Sequence, residues 1–336
     1  MRTTLQTVIL AAALVVAMTG PERAGAESAK KLTIAVIPKG TTHEFWKSIH
    51  AGAVKASQEL DVEIIWKGPL KEDDRENQIR VVENFITLRV DGIVLAPLDD
   101  RALVPVVREA VGRKIPVVII DSDLRWQEYV SFVATDNYKG GVLGARRLGE
   151  LLGGKGDAMM MRYQEGSAST TNREAGFLDT MKKEFPNIRI VSSNQYGGAT
   201  TASSYERAEL LLQRFPKVDG IFCPNESSTF GMLRALQDVG LAGKIRFVGF
   251  DSSEKLAQAL REGQIQGLVL QNPFHMGYLG VKTMVQHLRG EKVEKRVDTG
   301  CMVVTPENMN EPEMKELLLP DLSRWLETRP AREARP

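Results

Sequence analysis

From Leu32 onward, short apolar runs alternate with longer amphipathic stretches. The runs at 32–37, 62–66, 92–95 and 117–120 are rich in Val, Ile and Leu and bounded by Gly, Pro or Asp. Continuous apolar runs of this length predict parallel strands covered on both faces. Between them, apolar residues recur at helical spacing. Phe45, Ile49, Ala53 and Ala56 predict a helix over 44–60, and Ile79, Val82, Phe85 and Ile86 predict one over 72–88. A third helix is expected near 102–111.

The same rhythm then repeats. Strands are expected at 157–161, 188–191, 220–223, 247–250 and 265–270. Helices are expected at 138–152, 172–185, 203–215, 230–239, 254–261 and 276–288, with Pro186 and Pro216 stopping two of them. Two such stretches predict two open, doubly wound α/β lobes with parallel sheets. Gly153-Gly154-Lys155-Gly156 follows a helix and precedes a strand, the reverse of a phosphate loop, so it reads as a helix end and turn.

The 336 residues are 43% hydrophobic and 26% charged, enough for two domains with real cores. Lys+Arg at 44 against Asp+Glu at 43 leaves a formal charge of +1, so a nucleic-acid surface working by bulk charge is not expected. Cys223 and Cys301 are too few for a disulfide scaffold or a Cys-rich zinc site; two buried thiols are the plainer reading, and export would permit a bond between them. The four histidines show no HExxH spacing. No metal and no cofactor is expected, and no phosphate loop, GxGxxG or GxSxG marks a catalytic centre. At the N-terminus, Arg2, the apolar run at 8–18 and Ala24-Gly25-Ala26 fit a cleavable signal peptide over 1–26. The mature chain is then expected in the periplasm.

In open α/β sheets, ligands bind beyond the carboxyl ends of the strands. The residues there are Pro38-Lys39-Gly40-Thr41-Thr42-His43, Ala96-Pro97, Asp121-Ser122-Asp123, Tyr163-Gln164-Glu165-Gly166, Pro224-Asn225-Glu226, Asp251-Ser252 and Gln271-Asn272. They offer hydrogen-bonding groups and single carboxylates. Phe45 and Trp46, adjacent near the start of the first helix, should point about 100° apart and not share one face.

Several stretches, in this order, resemble the ribose-type periplasmic sugar-binding proteins of ABC transporters. They are HEFWKSIHAGA (43–53), VDGIVLAP (90–97), IPVVIIDSD (115–123), VATDN (133–137), NREAGF (172–177), FCPNE to GMLRAL (222–236), VGFD (248–251) and VLQNP (269–273). The resemblance spans about residues 31–304. It implies a type I periplasmic binding fold with a three-crossing hinge near 135–137, 271–273 and 298–301. One lobe would comprise 31–135 plus 272–298, the other 136–271 plus 299–306, with a C-terminal extension over 307–336. It also implies a closed-cleft binder in which Asp121, Arg173, Asn225, Asp251 and Gln271 contact sugar hydroxyls and Phe45 and Trp46 pack on the ring. Thr42 and His43 join them as expected ligand contacts. Ala96 stands where ribose binders carry Asn, and His43 departs as well, which leaves the particular sugar or polyol open.

These residue types suit hydroxyls, which both donate and accept. Carboxylates only accept, a guanidinium only donates, and amides do both. Plainer readings exist for each: Asp121 and Asp251 as helix caps, Arg173 as a surface charge paired with Glu174 or Glu165, Asn225 as a turn residue. The expected function is capture of a sugar or polyol by a monomer that closes its hinge and delivers the ligand to a membrane permease. A sensor subunit for a chemoreceptor or kinase fits the same sequence. A lac-repressor-type regulator lacks its helix-turn-helix, and a sugar-acting enzyme lacks a marked nucleophile or metal.

Overall fold

The structure is a computed structural model that describes residues 31–326. The expected signal segment at 1–26 and the tail from Arg329 lie outside the described residues. Strands β1 (Thr33–Ile37), β2 (Glu63–Trp66), β3 (Gly92–Leu95), β4 (Val117–Ile120) and β5 (Ser131–Ala134) alternate with helices α1 (Glu44–Leu60), α2 (Arg75–Leu88) and α3 (Val104–Gly112). The chain continues through α4 (Asn137–Leu151), β6 (Gly156–Arg162), α5 (Ala168–Glu184), β7 (Ile188–Tyr196), α6 (Thr201–Arg214), β8 (Gly220–Phe222) and α7 (Glu226–Asp238). It then forms β9 (Arg246–Phe250), α8 (Glu254–Arg261), β10 (Gly267–Gln271), α9 (Pro273–Leu288), β11 (Arg296–Asp298), β12 (Cys301–Val304), α10 (Pro312–Leu318) and α11 (Ser323–Leu326).

Two six-stranded sheets result. One has the order β11-β5-β4-β3-β1-β2, the other β12-β10-β9-β8-β6-β7. All pairings are parallel except β10 with β12. The strand order is the same in both, so both present the same edge-to-centre arrangement of loops. Each sheet has an apolar cluster on either face, which is why its strands read as unbroken apolar runs.

Most elements fall where the hydrophobic pattern puts them, and the differences have local causes. Helix α2 begins at Arg75 and not at residue 72, because the Asp74 side chain accepts from the Asn77 amide and caps the helix there. Helix α7 begins at Glu226, four residues ahead of the apolar stripe, behind an Asn225–Ser228 capping box. Helix α5 likewise starts early, at Ala168. Periodicity registers a packed face and misses such polar first turns. Strand β11 (Arg-Val-Asp) is mostly charged, and β5 and β12 open on Ser131 and Cys301, so none of them reads as an unbroken aliphatic run. Gly153 and Gly154 adopt φ of 62° and 75°, the left-handed turn expected after α4.

Close helix crossings recur in both halves. A Cβ on Gly52 of α1 would lie 1.9 Å from the Phe274 carbonyl oxygen of α9. A Cβ on Gly141 of α4 would lie 1.9 Å from the Arg173 carbonyl oxygen of α5. Only glycine permits backbones this near, and the second crossing fixes the helix that carries Arg173. Beyond β12, α10 buries Met314 and Leu318 in the core of the second sheet, while α11 lies against α1. Cys223 and Cys301 are both free thiols, the first buried and the second half-buried.

Candidate functional site

The carboxyl ends of the two sheets face each other across a cavity. It is lined by Lys39, His43, Phe45, Trp46, Glu72 and Asp121 from the first half, and by Tyr163, Ser169, Thr170, Arg173, Asn225, Glu226, Asp251 and Gln271 from the second. Its free volume is only about 20 Å³, room for about one water, so its walls must part or repack to admit a sugar. Eight of the nine residues expected from sequence line it. Thr42 does not: it is exposed on an outer groove with Phe230, Ser252 and Leu318.

Asp121 and Asp251 end β4 and β9 in the left-handed backbone region, at φ 61° and 66°. Asp tolerates this conformation better than most residues, and it turns each chain sharply at the cavity wall. Neither is the N-cap of the helix that follows it in sequence. Asp121 Oδ2 lies 2.7 Å from Lys39 Nζ, and Asp251 Oδ1 accepts from Gln271 Nε2 at 2.7 Å. Asp251 Oδ2 accepts from the Glu226 amide at 3.2 Å.

Arg173 is 2% exposed and pairs with neither Glu174 nor Glu165. Its Nε donates to Asn137 Oδ1 at 2.7 Å and its Nη1 to the Pro224 carbonyl at 2.9 Å. The guanidinium stacks 4.0 Å from the Phe250 ring centroid. Both aspartates stand 3.9 Å from it, outside hydrogen-bond range. Arg173 Nη2 and Gln271 Oε1 are buried with no hydrogen-bond partner, leaving one donor and one acceptor unused at the cavity. Asn225 is more committed: its Oδ1 caps α7 and its Nδ2 donates to Ser227 Oγ at 3.0 Å.

Phe45 and Trp46, both expected ligand contacts, both line the cavity although they point apart on α1. They lie in the first turn of α1, whose end points at the cavity, so both reach it with rings 4.9 Å apart and at 87°. The Trp46 indole is held by Glu72, its Nε1 donating to Oε1 at 2.7 Å. His43 Nδ1 is 2.5 Å from the same oxygen, and Tyr163 donates to Oε2 at 2.5 Å. Ala96 sits in the core of the first sheet and does not line the cavity, so that departure from the ribose pattern does not reach the ligand space.

Lys39, Glu72, Tyr163 and Glu226 were not singled out from the sequence. Lys39, Tyr163 and Glu226 stand at strand ends, where position alone marked them as candidates. Glu72 gave no signal, because it sits at the edge of a helical pattern and enters the cavity only once Asp74 starts α2.

Burial alone would lower the His43 imidazole, but the hydrogen bond and charge of Glu72, aided by Glu226 and Asp251, raise it to about 9. Burial alone would raise Glu72, and the contacts from His43, Lys39 and Tyr163 lower it instead to about 2. Burial pushes Glu226 up to about 7 and raises Asp251. At neutral pH three cations, Lys39, His43 and Arg173, thus face four carboxyl groups, one of them near half-protonated. The cavity is close to charge-balanced by its own residues.

These shifts predict a pH signature. A depressed carboxyl contributes stability above its ordinary 4.5, lost as pH falls toward about 2. A raised imidazole contributes below its ordinary 6.5, lost as pH rises through about 9. The thermal midpoint of His43→Asn should therefore fall furthest below wild type between pH 4.5 and 6.5, with the gap narrowing on both sides. A gap of constant size across pH would mean that His43 acts through packing alone.

Two matched α/β halves closing on a polar cavity with an aromatic pair define a two-lobed small-molecule binder. Residues 34–292 match the periplasmic binding protein domain, and the chain belongs to that family. It is 33% identical over 288 residues to the D-ribose/D-allose-binding protein of Pseudomonas aeruginosa, covering 81% of this chain and 87% of that protein. The D-allose-binding periplasmic protein of Escherichia coli is 29% identical over 77% of this chain and 85% of its own length. A carbohydrate transporter solute-binding protein from Agrobacterium radiobacter, solved with D-arabinose, superposes with a TM-score of 0.84 at 34% identity, covering 87% of this chain and all of that one. One from Agrobacterium vitis with bound D-fucose gives 0.82 at 37%, covering 85% of this chain and all of that one. These relatives are sugar-binding transport proteins of the type I periplasmic fold.

Proposed function

We propose that this protein captures one neutral monosaccharide or related polyol between its lobes and hands it to the membrane permease of an ABC importer. The observation that carries the reading is the pair of unused buried groups, Arg173 Nη2 and Gln271 Oε1, in a cavity already charge-balanced. A hydroxyl donates and accepts at once, so a vicinal diol satisfies both without adding charge. Each buried group so satisfied is worth roughly 1–3 kcal/mol. Asp121 and Asp251 add acceptors from opposite sides, and Phe45 and Trp46 offer apolar faces to ring C–H groups. The relatives named for ribose and allose, and those holding arabinose and fucose, support the substrate class.

The protein works without cofactor or catalysis, as an exported monomer freed of residues 1–26. Residues 31–135 plus 272–298 move as one lobe, and 136–271 plus 299–306 as the other. The test is a thermal-shift screen of residues 27–336 against pentoses, hexoses, polyols and inositols. A sugar at 100 times its Kd should add about 2.7 kcal/mol, a shift of several degrees. A panel in which no member raises the midpoint would remove the sugar reading.

A further inference from the structure

The first amides of a helix need acceptors. In helix α1 the His43 carbonyl serves the Trp46 and Lys47 amides, but the first two amides get no local side-chain acceptor: His43, at the N-cap, makes no side-chain cap bond, and its ring is held by Glu72. The acceptor comes from the other lobe. Glu226, the first residue of α7, takes the Glu44 amide on Oε1 at 3.4 Å and the Phe45 amide on Oε2 at 3.2 Å. A carboxylate here also meets the positive end of the α1 dipole. At the opposite wall, Tyr163 donates to Glu72 Oε2 at 2.5 Å, and Gln164 Nε2 donates to the Glu72 carbonyl at 3.0 Å. Each contact runs directly from a protein atom of one lobe to a protein atom of the other.

We infer that Glu226 on the α1 N-terminus and Tyr163 on Glu72 form a ligand-independent clasp that sets how often the free protein is closed. Resting on the lobe movement proposed above, this makes both positioning residues for binding. The apparent Kd equals the intrinsic Kd of the closed form divided by the fraction closed. Loosening the clasp therefore weakens every ligand by one common factor, whereas loss of a direct sugar contact weakens ligands unequally.

The test uses nitroxide pairs at Arg108→Cys on α3 and Lys182→Cys on α5, both exposed, with Cys301→Ser, and reads the interlobe distance without sugar. A short-distance population is expected, and it should shrink in Glu226→Ala and in Tyr163→Phe. Tyr163→Phe keeps the ring and so guards against loss of fold, and Glu226→Gln, which keeps an acceptor oxygen, should recover part of the effect. Titration with D-allose and with D-arabinose should then show Kd raised by about 5- to 20-fold, equally for both sugars. Wild type without a short-distance population, or a population that neither substitution changes, overturns the inference. So does a change in Kd confined to one sugar. The spin-label arm needs no sugar, so it decides the clasp even if the sugar reading fails.

Discussion

Replacing Asp121 with asparagine should weaken sugar binding by about 10- to 100-fold. The side chain is 3% exposed and stands between Lys39 Nζ at 2.7 Å and Arg173 Nη2 at 3.9 Å. Asparagine keeps the shape and tolerates the φ of 61°, so the turn after β4 survives. What goes is the negative charge. A charge-assisted bond to a hydroxyl becomes a neutral one, and two buried cations lose a counter-charge. The thermal midpoint should fall as well, because a buried pair broken on one side is costly. Calorimetric titration of the folded variant separates the effects. Lower stability with unchanged affinity would mean that Asp121 serves only to balance Lys39.

The second large effect comes from outside the cavity. In Gly141→Ala the new methyl would meet the Arg173 carbonyl oxygen at 1.9 Å, well inside van der Waals contact. Backbone cannot swing aside as a flexible side chain can, so α4 and α5 must part. Overpacking of this kind costs about 1–3 kcal/mol, sometimes more. The turn that moves carries Arg173, so affinity should fall together with stability. Gly52→Ala, which meets the Phe274 carbonyl oxygen at 1.9 Å, should destabilise to a similar degree while leaving Arg173 in place. Denaturant unfolding and sugar titration on the two variants check the pair. Because α1 carries Phe45 and Trp46, Gly52→Ala should cost some affinity as well, but less than Gly141→Ala; equal losses would show that displacing Arg173 has no effect of its own.

The architecture was legible because parallel strands buried on both faces must be continuously apolar, as at Val117–Ile120, and because α1 and α8 carry an uninterrupted apolar stripe. The site was legible where strand ends carry polar residues: Asp121, Asp251 and Gln271 all stand at the cavity. It was not legible where two distant segments meet. Nothing near Glu72 in sequence announces Trp46, His43 and Tyr163 as its partners, since the last is 91 positions away and in the other half. Glu226 likewise reads as an ordinary first-turn acid of α7, and its bond to the start of α1 spans 181 positions. Phe45 and Trp46 point apart on α1, and the cavity meets that helix end-on, so both reach it.

The charge balance of the cavity makes a sharper claim than the fold does, namely that the ligand is neutral. Isothermal titration of residues 27–336 with D-allose, D-ribose, D-arabinose and D-fucose, beside D-glucuronate and D-ribose 5-phosphate, tests it directly. One-to-one binding of at least one neutral sugar is expected at about micromolar Kd or tighter, near −8 kcal/mol, with the two anions at least 100-fold weaker. Tighter binding of either anion, or millimolar binding throughout, would contradict it.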